Sequence, residues 1–348
     1  MLNKNRIGSL GCIAVIVLFT VNSHTVAASV KNSLLLCYNS VIGALFPFMV
    51  ISSYMAANNY TAFISLPFRK FAQLIKIDDK AYPAFLSLSL IGGFSVGAMM
   101  LKKLEEKGYS ENCLFTVAPS FINNSFSFCI FVVGAFFLGN INTGILLYIS
   151  LCTASLITTF ILSFIYRYNI VSPAEICAEK GMSITEAVNQ SVINILCICG
   201  FIVLCNVLCE VISLYIASPM CRTALFSVTE ITSGCAEIIG NQGKNAYLIC
   251  AVLSFYPVCT LCQVFHFTKS PRLILNLMLS RIIHTPVSLC IFSVLCNLFP
   301  VASDVIKPDS IVVKTVSNTA ETSAVLYMIA LCFVMISESN KIFTKHRK

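Results

Sequence analysis

Long apolar runs separated by short polar turns dominate this chain. They fall at 7–28, 33–56, 81–101, 113–138, 144–166, 188–217, 246–268, 273–298 and 320–338. Each approaches or exceeds the roughly 20 residues an α-helix needs to cross a bilayer, so each is predicted to be a membrane-embedded helix. Two segments break the pattern. Residues 63–76, "FISLPFRKFAQLIK", mix apolar and basic positions at helical spacing, which suits a helix lying in the interface. Residues 225–240, "LFSVTEITSGCAEIIG", are shorter and carry two glutamates, which makes them poor candidates for a full crossing. The largest hydrophilic stretch, 167–187, divides the chain. The predicted organisation is an N-terminal membrane helix at 1–32, a first repeat at 33–166, a linker at 167–187, a second repeat at 188–298, and a C-terminal loop, helix and basic tail at 299–348.

Composition agrees. Hydrophobic residues make up 57% and charged residues 11%, with a mean hydropathy of +0.86, far from the values of soluble domains. A chain of 348 residues has room for about seven to nine embedded segments and little else. The expected class is an all-α polytopic membrane protein, with the lipid bilayer as its first partner. The net charge of +8 does not indicate nucleic acid, because the Lys and Arg residues sit in short loops where they orient the chain. Lys4 and Arg6 precede the first run, which ends in "HTVAAS", similar to a signal-peptide cleavage site. The run is long enough to span and another follows at once, so it reads as an uncleaved helix with a cytoplasmic N-terminus.

The 18 cysteines lie mostly inside apolar runs, where a thiol behaves as a small hydrophobe, and no disulfide framework is expected. Cys259, Cys262 and His266 in "VCTLCQVFH" stand at helical spacing, but a fourth ligand is not evident and no metal or cofactor is assigned. Enzymatic activity is not expected either: no paired-carboxylate, Ser-His-Asp or phosphate-loop signature occurs in a recognisable context.

Basic residues test the 81–101 segment. If it crossed the membrane, Arg69, Lys70, Lys76 and Lys80 would face one side and Lys102, Lys103 and Lys107 the other, against the positive-inside bias. A re-entrant hairpin keeps all seven together, and Gly92 and Gly93 then supply the permissive backbone for a turn inside the membrane. The alternative is a tilted spanning helix with Gly92, Gly93 and Gly97 as packing positions.

The two halves resemble each other. "VAPSFINNSFSFCIFV" at 117–132 can be laid over "LMLSRIIHTPVSLCIF" at 277–292, "GGFSVGA" over "SFYPVCT", and "FPFMV" over "GFIVL". Counting crossings makes the repeats inverted, an architecture in which two re-entrant or broken-helix hairpins meet near the midplane around a central site. Strict inversion places the tail "KIFTKHRK" outside, against its Lys and Arg content. If 246–268 instead spans, the tail returns to the cytoplasm and the two-fold relation is lost.

The succession "LFPFMV", "GGFSVGA", "FINNSFSFCIFVVG", "CGFIVLCNVL", "TEITSG" and "LSFYPVCTLCQV" resembles the YlbJ-type sporulation integral membrane proteins, which belong with the nucleoside-recognition or Gate-domain membrane proteins. The resemblance runs from about 33 to 298. It implies a Gate-like fold and a role in endospore formation, particularly cortex assembly, and it implies no known substrate. The chain departs from the family at both hairpins: Phe94, Ser95 and Val96 stand where a Gly-Tyr-Pro element is expected, and Tyr256 and Pro257 where paired glycines are.

Polar residues inside apolar runs are the candidate site. Glu230, with Thr229, Thr232 and Ser233 nearby, is either a ligand or ion site or a hydrated carboxylate at a hairpin mouth. Asn123, Asn124 and Ser125 either bind a ligand or join helices. Arg281 and His284 lie one turn apart; Arg281 either pairs with Glu230 or snorkels to the surface. Gln263 and Ser95 lie near the hairpin tips. Two functions follow as expectations: a transporter-like protein with a small solute or ion bound between the repeats, or a non-transporting scaffold that organises other sporulation membrane proteins.

Overall fold

A computed structural model describes residues 4–166 and 181–300. The 320–338 run, the basic tail and most of the 167–187 linker lie outside the described residues. Every regular element among those described is helical, and five helices are long and apolar enough to cross a membrane. The chain is an all-α, multi-pass membrane protein.

Helix α1 (Lys4–Val21) ends where Asn22 leaves helical geometry. Helix α2 (Ser23–Leu36), a π-helical stretch (Cys37–Ile42) and α3 (Gly43–Ala57) then form one unbroken rod, so residues 32 and 33 lie within a helix. That rod packs along α9 (Ile184–Ser213). The segment expected at the interface folds as a 3₁₀ turn (Leu66–Phe68) and the short α4 (Arg69–Leu74), with Arg69 and Lys70 exposed.

Helices α5 (Ala81–Gly92) and α6 (Phe94–Glu106) fold back on each other at Gly93. Their open end is clasped where the Tyr109 hydroxyl donates to Asp79 at 2.5 Å. The 81–101 segment therefore folds back on itself, with Gly92 and Gly93 at its tip. Helix α7 (Glu111–Phe121) unwinds after Pro119, and the chain resumes as a π-helix (Phe128–Leu138) that scarcely touches α7. Together these two pieces run from one end of the bundle to the other, one broken crossing of it. Helix α8 (Ile141–Ile165), capped by Asn140, completes the first half.

The second half repeats this order. After α9, helices α10 (Pro219–Thr229) and α11 (Ile231–Gln242) fold back on each other at Glu230. Arg222 to Glu237 at 3.2 Å and Asn241 to Thr223 at 3.0 Å clasp their open end. Helices α12 (Ala246–Ser254) and α13 (Val258–Thr268) form a second broken crossing, and α14 (Pro271–Leu298) closes the half. Two expectations change. The second folded-back pair is 219–242, not 246–268. The broken crossing at 111–138 corresponds to 246–268 rather than to 277–292. A spanning 246–268 thus keeps the repeated order, because the segment judged too short and acidic to cross supplies the missing hairpin.

Apolar packing divides at the breaks. One core holds residues of α3, α5, α6, α7, α9 and α13, including Met49, Leu86, Met100, Val117, Ile198 and Val264. The other holds Val133, Leu147, Ile238, Ile249 and Phe292, from the π-helix, α8, α11, α12 and α14. Each broken crossing gives one half to each core. The unwound segments therefore lie between the cores, near the middle of the bundle.

Candidate functional site

Four breaks supply non-helical backbone at this level, and each has a local cause. At the first tip Gly93 takes φ +81° and ψ −171°, a conformation open to glycine alone. A Cβ there would stand 2.8 Å from the Ser125 Cβ, so this glycine also lets the tip reach the first unwound segment. Gly97 packs so closely on the Phe121 carbonyl that a Cβ would overlap it. At the last break Pro257 disfavours helical geometry in Tyr256 and has no N–H to continue a helix.

The two unwound segments are pinned to each other. Asn124 donates from Nδ2 to the Leu253 carbonyl at 2.7 Å, and the Tyr256 hydroxyl donates to the Ile122 carbonyl. Each broken crossing thus caps a carbonyl that the other's helix end leaves without an intrahelical partner. Asn123 is held by its own helix end and by α8, donating to the Ser120 carbonyl at 2.8 Å and to Ser155 Oγ at 3.1 Å.

Glu230 lies at the second hairpin tip. It is 2% exposed, which removes the hydrated-mouth reading. Its carboxylate accepts from the Ser233 backbone N–H at 2.7 Å, so it caps the N-terminus of α11, where the helix dipole favours an anion. Ser233 Oγ donates in turn to Asn206 Oδ1 on α9 at 2.8 Å. Glu230 faces a cavity of about 20 Å³, room for about one water molecule, shared with Ser125, Thr232, Thr260 and Gln263. Apolar residues including Phe94, Val41 and Ile198 form the rest of its wall. Gln263 donates to Cys259 Sγ at 3.2 Å, and among the described residues its buried Oε1 has no hydrogen-bond partner, nor does Ser95 Oγ at the first tip.

Arg281 and His284 form a separate cluster. Arg281 is 3% exposed, which excludes snorkelling. No ion pair to Glu230 forms. Arg281 instead donates from Nη1 to the Ser254 carbonyl at 3.2 Å, and its guanidinium lies 3.6 Å from the Tyr256 ring centre. The expected pair fails because each charge has a nearer partner of the right polarity: amides at the start of α11 for the anion, a carbonyl at the end of α12 for the cation. His284 Nε2 lies 3.2 Å from the Leu151 carbonyl on α8. Cys259, Cys262 and His266 do not converge, and no group of three metal-ligating side chains occurs among the described residues.

Of the residues expected at a site, the fold brings Ser125, Glu230, Thr232 and Gln263 to one cavity and Ser95 close to the first tip. It uses Asn123 and Asn124 as pins and sets Arg281 and His284 apart. Thr260 and Asn206 were not anticipated. Thr260 had a signal, since it stands three residues before Gln263 and so shares its helix face. Comparison of the chain with protein-family models, curated proteins and solved structures gives no match.

Proposed function

We propose that the protein is transporter-like rather than enzymatic, with two inverted repeats of the Gate type enclosing a small polar site at Glu230. The resemblance to the YlbJ-type proteins adds a role in endospore formation, in cortex assembly. Inversion is supported by the repeated order of elements and by the count of crossings. From α3 to α9 the chain crosses three times, through α3, through α7 with its π-helical continuation, and through α8, so the second half begins at the opposite face. Arg69, Lys70, Lys76, Lys80, Lys102, Lys103 and Lys107 all lie at one end of the bundle, which favours the cytoplasm for that end.

The observation that carries the reading is the buried Glu230 carboxylate in a cavity where both hairpins and an unwound segment meet. A carboxylate at that depth is costly, and capping α11 uses only part of its accepting capacity, which leaves it able to serve an ion or a polar solute as well. The unpartnered Oε1 of Gln263, which lines the same cavity, offers a further acceptor to such a ligand. The cavity's size suits an occluded state around an ion or the end of a small solute.

The test is thermal stability of the purified protein against nucleosides, mono- and divalent cations and cell-wall precursors. A ligand at about 100 times its Kd adds about 2.7 kcal/mol to the native state, visible as a raised melting temperature. The expected result is a saturable shift that Glu230→Gln abolishes while the variant still folds. A shift that survives this substitution, or none across the panel, would sink the reading.

A further inference from the structure

Arg281 carries a charge that nothing among the described residues neutralises. Arginine stays protonated in proteins, and a buried charge without a counter-charge is among the costliest features of a membrane interior. The described ion pairs join Lys102 to Glu105, Arg222 to Glu210 and Glu237, and Arg272 to Glu111, none of them at Arg281. The Ser254 carbonyl and the Tyr256 ring engage Nη1 and one guanidinium face. Two nitrogens, Nε and Nη2, are buried without any hydrogen-bond partner among the described residues. They form one edge of the guanidinium, the edge whose two parallel N–H groups match the two oxygens of a carboxylate.

The helix adds a third donor. Thr285 follows Arg281 by four residues and so lies on the same face of α14, and its Oγ is also buried without a partner among the described residues. His284 is engaged with α8: its Nε2–H faces the Leu151 carbonyl, which leaves a lone pair rather than a donor on Nδ1. The free donors are therefore the Arg281 edge and the Thr285 hydroxyl.

We propose that Arg281 and Thr285 form a carboxylate-binding site at the crossing of the unwound segments, distinct from the Glu230 cavity. The site takes a carboxylate side-on across Nε and Nη2, with the Thr285 hydroxyl donating to one oxygen. It does not depend on the transporter reading, because it rests on α14 and its contacts alone.

The experiment is thermal stability of the detergent-purified full chain titrated with sodium formate and sodium acetate, with sodium chloride at equal ionic strength as reference. Formate or acetate is expected to give a saturable rise beyond chloride, lost in Arg281→Gln. Thr285→Val should weaken apparent affinity about tenfold, the value of one hydrogen bond to a charged group. Arg281→Lys keeps the charge but not the fork, and should respond to carboxylate no better than to chloride. Should Arg281→Gln fail to accumulate, the Lys and Val variants still decide. Benzoate and succinate locate the source: saturation at lower concentration than formate means that the carboxylate belongs to a larger solute, and the reverse means a free small anion. Equal responses to chloride and carboxylates, or a response unchanged in the Arg281 or Thr285 variants, would overturn the site. Glu230→Gln should leave the formate response intact, so failure of the Glu230 reading and failure of this one give different results.

Discussion

Gly93 meets two demands at once. Its positive φ excludes a side chain on conformational grounds, and its approach to Ser125 excludes one on steric grounds. Gly108 meets only the first: its φ is +84° and a Cβ there would find open space. The pair separates the two effects. Gly108→Ala should cost about 1 kcal/mol, the strain of a left-handed non-glycine residue. Gly93→Ala should cost at least about 1 kcal/mol more, because the first tip must withdraw from Ser125. Melting temperatures of the two variants in detergent check this, and equal losses would show that the tip's close approach contributes nothing. The glycine break was legible because basic residues on both sides of the apolar run favour one face, and two adjacent glycines allow the turn that this requires. Glu230 was legible as a buried carboxylate candidate for the same reason of context. Its partner was not, since the choice between Arg281 and the α11 amides depends on which helix end the fold brings nearest.

Among the elements, the decisive arrangement is the crossing of 122–125 and 254–257. Asn124 and Tyr256 each reach across to a carbonyl on the other broken crossing, so the two bonds fasten one joint. Removing either donor leaves a buried carbonyl bare, at about 1–3 kcal/mol. Asn124→Ala and Tyr256→Phe should each destabilise by that order. The double variant should lose less than the sum by about 1 kcal/mol, because the second bond is worth less once the joint has loosened. Additive losses in a double-mutant cycle would mean that the segments are positioned independently. The sequence marks the breaks but not whether their halves fold back. Unwinding at Pro257 looks alike in either case, and what separates them is packing: α12 rests on α14 and α11, while α13 rests on α6 and α9. The 225–240 segment reads as a poor candidate for a full crossing, and it does not make one: it folds back at Glu230, where Glu230 caps α11 and Glu237 pairs with Arg222, and both suit a hairpin.

At the scale of the whole molecule, the contacts between turns sort the chain into two ends. At one end Asp79 meets Tyr109, Asn58 donates to the Met182 carbonyl, and Arg272 lies 3.5 Å from Glu111. At the other, the Lys244 ammonium group lies against Gly139, close enough that a Cβ there would stand 2.8 Å from Nζ. The turn at 107–110 and the turn at 243–245 therefore belong to opposite ends. This agrees with three crossings between them: α7 with its π-helical continuation, α8 and α9. Short epitope tags inserted at Gly108 and Gly243, both in open space, would report the arrangement directly. In oriented vesicles the two tags should be accessible to an impermeant antibody from opposite faces, with the tag at 108 on the cytoplasmic side that the surrounding lysines favour. Because this outcome needs no ligand, it tests the inverted repeat separately from the site within it. Tags exposed on one face would mean an even number of crossings between the hairpins. The halves would then be parallel, and the unwound segments would no longer be related as two sides of one central site.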